Sequence, residues 1–408
     1  MNNVTAGEFH SPDEALLHRV QTAVQELGDW LEAAGYAGND PYQLDNIISS
    51  VGHRPIIGPL MGLARRLLKP YHALIPRQIF QASRPIVMAQ ALGDALAAEG
   101  MLPASEQTRR RASRLYEMLL EHRSPLAQND AWGLPFVWGG VERHEKHWPM
   151  AITTVLVING LLEARHLLDE GAVLKHLESS LRFMIEECGI LRTVDGVCIL
   201  YGPGDTRLIL NASAAAAGLM ARASSLLDRP DLMLLAEDAA RLIAHHQNPD
   251  GSWFFAPAHG THLLDPIIDF RHTGYILEGL AEVREHSGSA ELAATLSSAV
   301  ERGWAYARSA LVEGDLPRWA PNQTWPIDAH DVAEAILLAV AMGDQDLARR
   351  HVEAALRDFY IGDGQFRYKL FADGRKNDSV FIRWTQAPMY KALTRFAAAG
   401  SASDGAGH

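Results

Sequence analysis

Two stretches of the chain put ionisable side chains where a helix begins. Asp269-Phe270-Arg271-His272-Thr273-Gly274-Tyr275 opens one predicted helix. Asp269 suits its N-cap, because a carboxylate can accept from the backbone N–H groups left free in a first turn. His272 and Tyr275 are three positions apart and share one face. A histidine beside a tyrosine is a candidate acid/base pair; the alternative is a capped helix with a satisfied histidine. Trp325-Pro326-Ile327-Asp328-Ala329-His330-Asp331 opens a second helix, with Asp328 as its cap. His330 lies near that helix N-terminus, whose dipole favours a neutral imidazole and hence a usable base near neutral pH. Here too, cap plus packing is the alternative.

Other polar and aromatic residues cluster at helix starts. Tyr201-Gly202-Pro203-Gly204-Asp205 leads to Asn211, Arg383-Trp384 begins the last helix, Arg84-Pro85 sits early, and His147 precedes another helix. Arginine clamps carboxylates bidentately, Trp and Tyr stack on sugar faces, and helix N-termini favour anions. The set reads as a cleft for a sugar acid. Tyr201 and Tyr275 are candidate acids; Arg84, His147, Asn211, Arg383 and Trp384 are candidate binding residues. Gln247-Asn248-Pro249-Asp250-Gly251-Ser252-Trp253 follows a helix. It reads first as a structural staple, a turn with the indole packed across it, and second as a place for Trp253 to line the cleft. His144-Glu145-Lys146-His147 lacks the i, i+4 spacing of a zinc helix, so no metal is expected, and no cofactor.

The elements that must hold these residues are helices. Apolar residues recur at helical spacing over residues 14–34, 77–99, 106–122, 150–169, 172–187, 211–227, 231–247, 272–287, 290–311, 329–342, 345–358 and 384–398. Short turns alternate with long loops rich in Gly, Pro, Trp and Tyr, a repeat of about 55–60 residues. Six helix pairs predict an all-α (α/α)6 toroid spanning residues 13–398, with a flexible N-terminus (1–12) and a disordered tail (399–408). Function then sits at the long-loop end. Nearly apolar segments such as NASAAAAGL and VAEAILLAVAM suit an inner ring, and amphipathic ones an outer ring. Gly196–Tyr201 and Gln365–Phe371 read as small hairpins.

Composition narrows the function. The chain has 408 residues, 48% hydrophobic and 21% charged, with 37 Lys+Arg against 49 Asp+Glu and a net charge of −12. That is a globular balance, and an acidic one that argues against a general nucleic-acid binder. The run Arg109-Arg110-Arg111 reads as a solvated helix face. Two cysteines, Cys188 and Cys198, are too few for a disulfide framework and read as small core residues. No signal peptide and no membrane span is expected, and a cytoplasmic location follows.

Several motifs together resemble an uncharacterised bacterial family associated with exopolysaccharide and capsule production. They are Gly38-x-Asp40-Pro41-Tyr42, Tyr201-x-Pro203-x-Asp205 with Asn211-Ala212, and Gln247-x-x-Asp250-Gly251-Ser252-Trp253. Asp269-Phe270-x-His272-Thr273-Gly274-Tyr275, Pro326-Ile327-Asp328-x-His330 and Arg383-Trp384-x-Gln386-Ala387 complete the set. The resemblance covers roughly residues 30 to 395. It implies a fold similar to the toroids of prenyltransferase and squalene-cyclase repeats and of glucuronyl C5-epimerases, and it implies a polysaccharide context. This chain departs from the family pattern with Arg271 and Asp331, both charged, which marks a different substrate.

The leading expectation is a carbohydrate-active enzyme that abstracts the proton beside a uronate carboxylate, giving epimerisation or β-elimination. His272 or His330 is the base, Tyr201 or Tyr275 the acid, and Arg383, Arg84 and Asn211 hold the carboxylate. A glycoside hydrolase would use Asp269 and Asp328 as its carboxylate pair. Two further alternatives are an isoprenoid cyclase, for which no aspartate-rich motif is present, and a non-catalytic scaffold. The partner is a carbohydrate, with no nucleic acid; the oligomeric state is left open.

Overall fold

A computed structural model describes residues 12–43, 84–138 and 144–405. It contains twelve α-helices among those residues. They are α1 (Pro12–Ala33), α2 (Ala89–Met101), α3 (Glu106–Glu121), α4 (Ala151–Glu163), α5 (Glu170–Arg182) and α6 (Leu210–Leu226). α7 (Pro230–His245), α8 (Phe270–His286), α9 (Ala290–Ala310), α10 (Ala329–Ala341), α11 (Gln345–Ala354) and α12 (Ala387–Gly405) complete them.

The even-numbered helices form a closed inner ring: α2 packs on α4, α4 on α6, and so on until α12 returns to α2. The odd-numbered helices lie outside, with α1 on α12, α3 on α2 and α9 on α8. This is the predicted (α/α)6 toroid. Sequence dictates which helix goes where. Inner helices such as α10 are buried nearly all round because they carry almost no charge. Outer helices such as α3 bury only Thr108, Arg111, Ala112, Leu115, Met118 and Leu119, one stripe at helical spacing.

Two inner-ring contacts are made backbone to backbone. A Cβ on Gly160 of α4 would sit 2.2 Å from the carbonyl oxygen of Gly93 on α2. A Cβ on Gly279 of α8 would meet the Ala214 carbonyl of α6 at the same distance. Only glycine fits there.

Small two- and three-stranded sheets stiffen the long loops. The strand expected in Gly196–Tyr201 is part of a hairpin, β3 (Ile190–Thr193) with β4 (Gly196–Ile199); the stretch Gln365–Phe371 is instead divided between two sheets, with β10 (Lys369–Leu370) pairing with β7 (Ile327–Asp328) and β11 (Lys376–Asn377). The remaining pairs are β1 (Ala37–Gly38) with β2 (Ile86–Val87), β5 (Val312–Glu313) with β6 (Leu316–Pro317), and β8 (Tyr360–Gly362) with β9 (Gln365–Phe366).

Four further expectations need correction. The helix placed over 77–99 starts at Ala89, because Ile86–Val87 is pulled into a strand against Ala37–Gly38; residues 77–83 lie outside the described residues. The stretch 150–169 splits, with the helix ending at Glu163. The last helix runs on to Gly405, so residues 399–405 are helical and not a tail; residues 1–11 and 406–408 lie outside the described residues. Arg111 is not solvated. It is 3% exposed and its guanidinium holds Asp29 at 2.5 Å and Glu32 at 2.8 Å, tying α1 to α3, with Glu99 of α2 at 3.8 Å. Both cysteines are free and buried.

Candidate active site

The N-termini of the inner helices meet at the long-loop end, and their first turns build one polar cluster. Both predicted caps are present. Asp269 Oδ1 accepts from the His272 N–H at 2.9 Å, and Asp328 Oδ1 accepts from the His330 N–H at 2.9 Å. Each cap has a second oxygen with a different neighbour. Asp269 Oδ2 lies 2.8 Å from His272 Nδ1. Burial opposes the charge on Asp269, but His272 and Arg271 outweigh it and hold the carboxyl well below the usual range. Asp328 Oδ2 accepts from Trp384 Nε1 at 2.8 Å and lies 3.3 Å from Lys369 Nζ. Strand register supplies that lysine, since Lys369 is the cross-strand partner of Asp328. Its ammonium sits over the rings of Trp319 and Tyr368, at 4.4 and 4.6 Å.

Trp384 is the hub. His330 packs on it at 4.8 Å, Tyr42 meets it edge-on at 5.0 Å, and the guanidiniums of Arg271 and Arg383 lie over it at 4.6 and 4.9 Å. Arg383 donates from Nε to Asp40 at 2.6 Å and from Nη1 to Gln90 at 3.3 Å; its Nη2 is buried with no hydrogen-bond partner among the described residues. Arg271 bridges the two capped helices, with Nε 2.9 Å from Asp331 Oδ1 and Nη2 3.9 Å from Asp269 Oδ2. Burial works against the charge of Arg271, but Asp331 and Asp269 raise its pKa well above the ordinary value. Burial raises the Asp331 carboxyl; Arg271 pulls it down, and Asp328 and Asp269 add to the rise.

His330 is 2% exposed. Burial, with the nearby charge of Arg271, lowers its pKa to about 3, so the imidazole is neutral at ordinary pH. The direction matches the expectation from the helix dipole, but the cause is burial first. His330 Nε2 lies 3.4 Å from Glu334 Oε1, one turn further along α10. Its Nδ1 is buried with no hydrogen-bond partner among the described residues. Tyr275 donates to the same Glu334 oxygen at 3.3 Å. Behind them, Lys391 Nζ is 3.2 Å from Asp94, and burial raises Asp94, Glu334 and Glu278, the last to about 7 with help from Glu334.

The cluster therefore collects His272, His330, Tyr275, Asp269, Asp328, Arg383 and Trp384 of the expected residues. Tyr201 lies within electrostatic reach of Arg383 and Tyr42. Burial pushes its phenol up to about 12, and it lies in the field of Arg207 and Arg383. Asn211 is buried in the first turn of α6 with Oδ1 unpartnered among the described residues. One expected binding residue lies elsewhere. Trp253 is 2% exposed, donates to the Ile243 carbonyl at 2.9 Å and packs on Gly303, so its motif is a staple between α7 and α9. Gln247 completes that staple on the carbonyls of Gly251 and Ala299, and Gly251 turns at φ +95°. Arg84 has an exposed side chain. His147 has its pKa lowered by burial, Lys146 and His122.

The sequence reading assigned no role to Gln90, Asp94, Glu278, Glu334, Lys369 or Lys391. For Asp94, Glu278, Glu334 and Lys391 the signal was visible, as isolated charges on otherwise apolar inner helices; Gln90 is a neutral first-turn residue and Lys369 lies on a strand. Gln90 with Asp94 and His330 with Glu334 are i, i+4 pairs; Tyr275 with Glu278 is an i, i+3 pair. Among the described residues, no group of three or more His, Cys, Asp or Glu is arranged to hold a metal.

No family model matches the chain, and no curated protein is similar in sequence. Solved structures share its fold. A possible GH105 family member from Klebsiella pneumoniae aligns with a TM-score of 0.60 at 13% identity, over 96% of this chain and 95% of that one. A GH76 alpha-mannanase from Bacteroides thetaiotaomicron aligns with a TM-score of 0.60 at 11% identity, over 79% and 89%. A cellobiose 2-epimerase from Bacillus thermoamylovorans aligns with a TM-score of 0.58 at 10% identity, over 77% and 88%. At these identities the likeness establishes the toroid fold. Among the described residues, no helix is long and apolar enough to cross a membrane.

Proposed function

We propose that the chain is a carbohydrate-active enzyme that moves a proton at a sugar carbon, with epimerisation ahead of β-elimination. The carrying observation is His330. It is a buried neutral imidazole packed on Trp384, with Nε2 facing Glu334 and Nδ1 free of protein partners among the described residues. With Glu334 ionised, Nε2 carries the hydrogen and Nδ1 is left as the base. His272, paired with Asp269, stands on the neighbouring helix as the candidate acid. Sugar-active proteins among the structural neighbours support a carbohydrate ligand, as do the rings of Trp384, Tyr42 and Tyr368 around the lumen.

A uronate was the first expectation. It needs a cation free to take the carboxylate, yet Arg383 is paired to Asp40, Arg271 to Asp331 and Lys369 to Asp328. The reading shifts to a sugar whose own open-chain carbonyl acidifies the neighbouring C–H. His330 Nδ1 takes that proton, the C–H electron pair moves toward the carbonyl to form an enediolate, and the carbonyl re-forms as protonated His272 delivers its proton to the same carbon on the opposite face. The hydrolase pair loses ground, because Asp269 and Asp328 are already engaged at both oxygens. A charged lumen does not suit an isoprenoid. A role in exopolysaccharide or capsule production, in the cytoplasm, belongs to the same proposal, and the exopolysaccharide context rests on the motif resemblance.

The test is to incubate the protein with reducing disaccharides and with uronate polymers in deuterated water. The expected result is deuterium at the inverted carbon, lost in His330→Ala. New reducing ends without deuterium would replace this reading with hydrolysis.

A further inference from the structure

Arg271 occupies the centre of the cluster. It is flanked by the cap of α8 through Asp269 and by α10 through Asp331, and it lies over Trp384. A ligand within reach of both His272 and His330 lies beside this guanidinium. A free arginine there would grip a sugar carboxylate by two parallel hydrogen bonds. Asp331 stands in that position: its Oδ1 is 2.9 Å from Arg271 Nε, and Asp331 is 2% exposed. The contact does not meet hydrogen-bond geometry, and both atoms are otherwise unpartnered among the described residues. The pair is therefore held by charge and by the packing of α8 against α10, and it does not saturate either group. Asp40 blocks Arg383 in the same way from another helix start.

We propose that Asp331 is the specificity-determining residue of this site: by occupying Arg271 it reserves the lumen for an uncharged sugar and rejects the matching uronate. The inference rests on the carbohydrate reading. Rejection follows because a uronate carboxylate entering beside Arg271 meets Asp331 and Asp269, and like charges at close quarters count against the wrong ligand. Removing the Asp331 charge leaves Arg271 facing the ligand with its fork open. Arg271 and Asp331 thus act as one unit, and each charge makes sense only with the other.

The experiment compares glucose with glucuronate, and adds acetate as a bare carboxylate, by calorimetric titration and thermal shift. The proteins are wild type, Asp331→Asn and the double variant Arg271→Gln/Asp331→Asn. Wild type is expected to prefer glucose and to ignore acetate. Asp331→Asn, which keeps the shape and removes the charge, should raise glucuronate affinity relative to glucose by about tenfold or more and gain stabilisation by acetate. The double variant should lose both gains. If Asp331→Asn fails to fold, Asp331→Ser removes the same charge and takes its place. An unchanged glucuronate-to-glucose ratio in a folded variant overturns the proposal, as does a wild type that prefers glucuronate. If wild type binds neither sugar while Asp331→Asn gains acetate binding, the carbohydrate reading falls and the role of Asp331 in masking Arg271 stands.

Discussion

The starts of α8 and α10 are built alike and behave differently. Both begin with an aspartate cap, and both place a histidine in the first turn. On α8 the cap keeps its second oxygen for its own histidine, 2.8 Å from Nδ1, and His272 is partly open to the lumen. On α10 the second oxygen goes to Trp384 and Lys369, so His330 is left to Glu334 and is sealed in. The same local motif yields an imidazole beside an anion in one place and a neutral, buried imidazole in the other. Tertiary partners decide which, and two imidazoles in such different surroundings are the raw material of distinct acid and base roles.

That contrast can be broken or sharpened by substitution. The largest effect is expected for His330→Ala, with deuterium incorporation falling by about a thousandfold or more and stability changing by no more than about 2 kcal/mol. A folded variant that keeps a tenth of the rate ends the assignment of His330 as base. His272→Ala should fall by about a hundredfold, and a product that exchanges deuterium without inverting would mark it as the group serving the opposite face. Glu334→Gln should lower the rate by about ten- to a hundredfold and displace the acid limb of the pH profile, with Glu334→Asp restoring part of it. An unshifted limb would make Glu334 a packing residue only.

Acid stability should separate the two histidines as well. The folded-state pKa of His330, about 3, lies below the ordinary imidazole value of 6.5, so the unfolded chain binds the extra proton. Stability is then complete above about pH 6.5 and is lost as pH falls toward 3, by up to about 2–4 kcal/mol. Denaturant titrations of His330→Ala should show a flatter slope in this window. Asp269 is depressed too, and its contribution disappears only at lower pH, as the medium falls through and below the ordinary carboxylate range. Trp384→Phe carries the smallest expected effect. It removes one donor from Asp328 while Lys369 and the His330 N–H remain, at a cost of about 1–3 kcal/mol read as a lower Tm.

The toroid was legible because its signal is local and repeated. With Glu334 as its single charge, VAEAILLAVAM is apolar enough to send α10 inside, and Asp228 and Gly343, both at positive φ, close short turns between successive helices. The two caps were legible for the same reason. What stayed hidden depends on distance along the chain. Arg383 finds Asp40 from 343 positions away, and nothing near either residue predicts it. Lys369 reaches Asp328 through strand register between two loops. Arg111 sat in a run of three arginines whose other two members are exposed, and its acidic partners Asp29, Glu32 and Glu99 come from two other helices. Arg271 and Asp331 were each visible as added charge, but their pairing was not.

The glycine contacts of the inner ring bear on how such a protein can change over generations. Where Gly160 meets Gly93 and Gly279 meets Ala214, no larger residue can enter without forcing helices apart. The bore of the ring is thereby closed to gradual mutation along those seams. Inheritable variation in ligand choice is confined to the first turns and the loops above them, where an exchange such as that of Asp331 leaves the walls untouched. New specificities can therefore arise by single steps at the rim, while the barrel beneath is passed on unchanged.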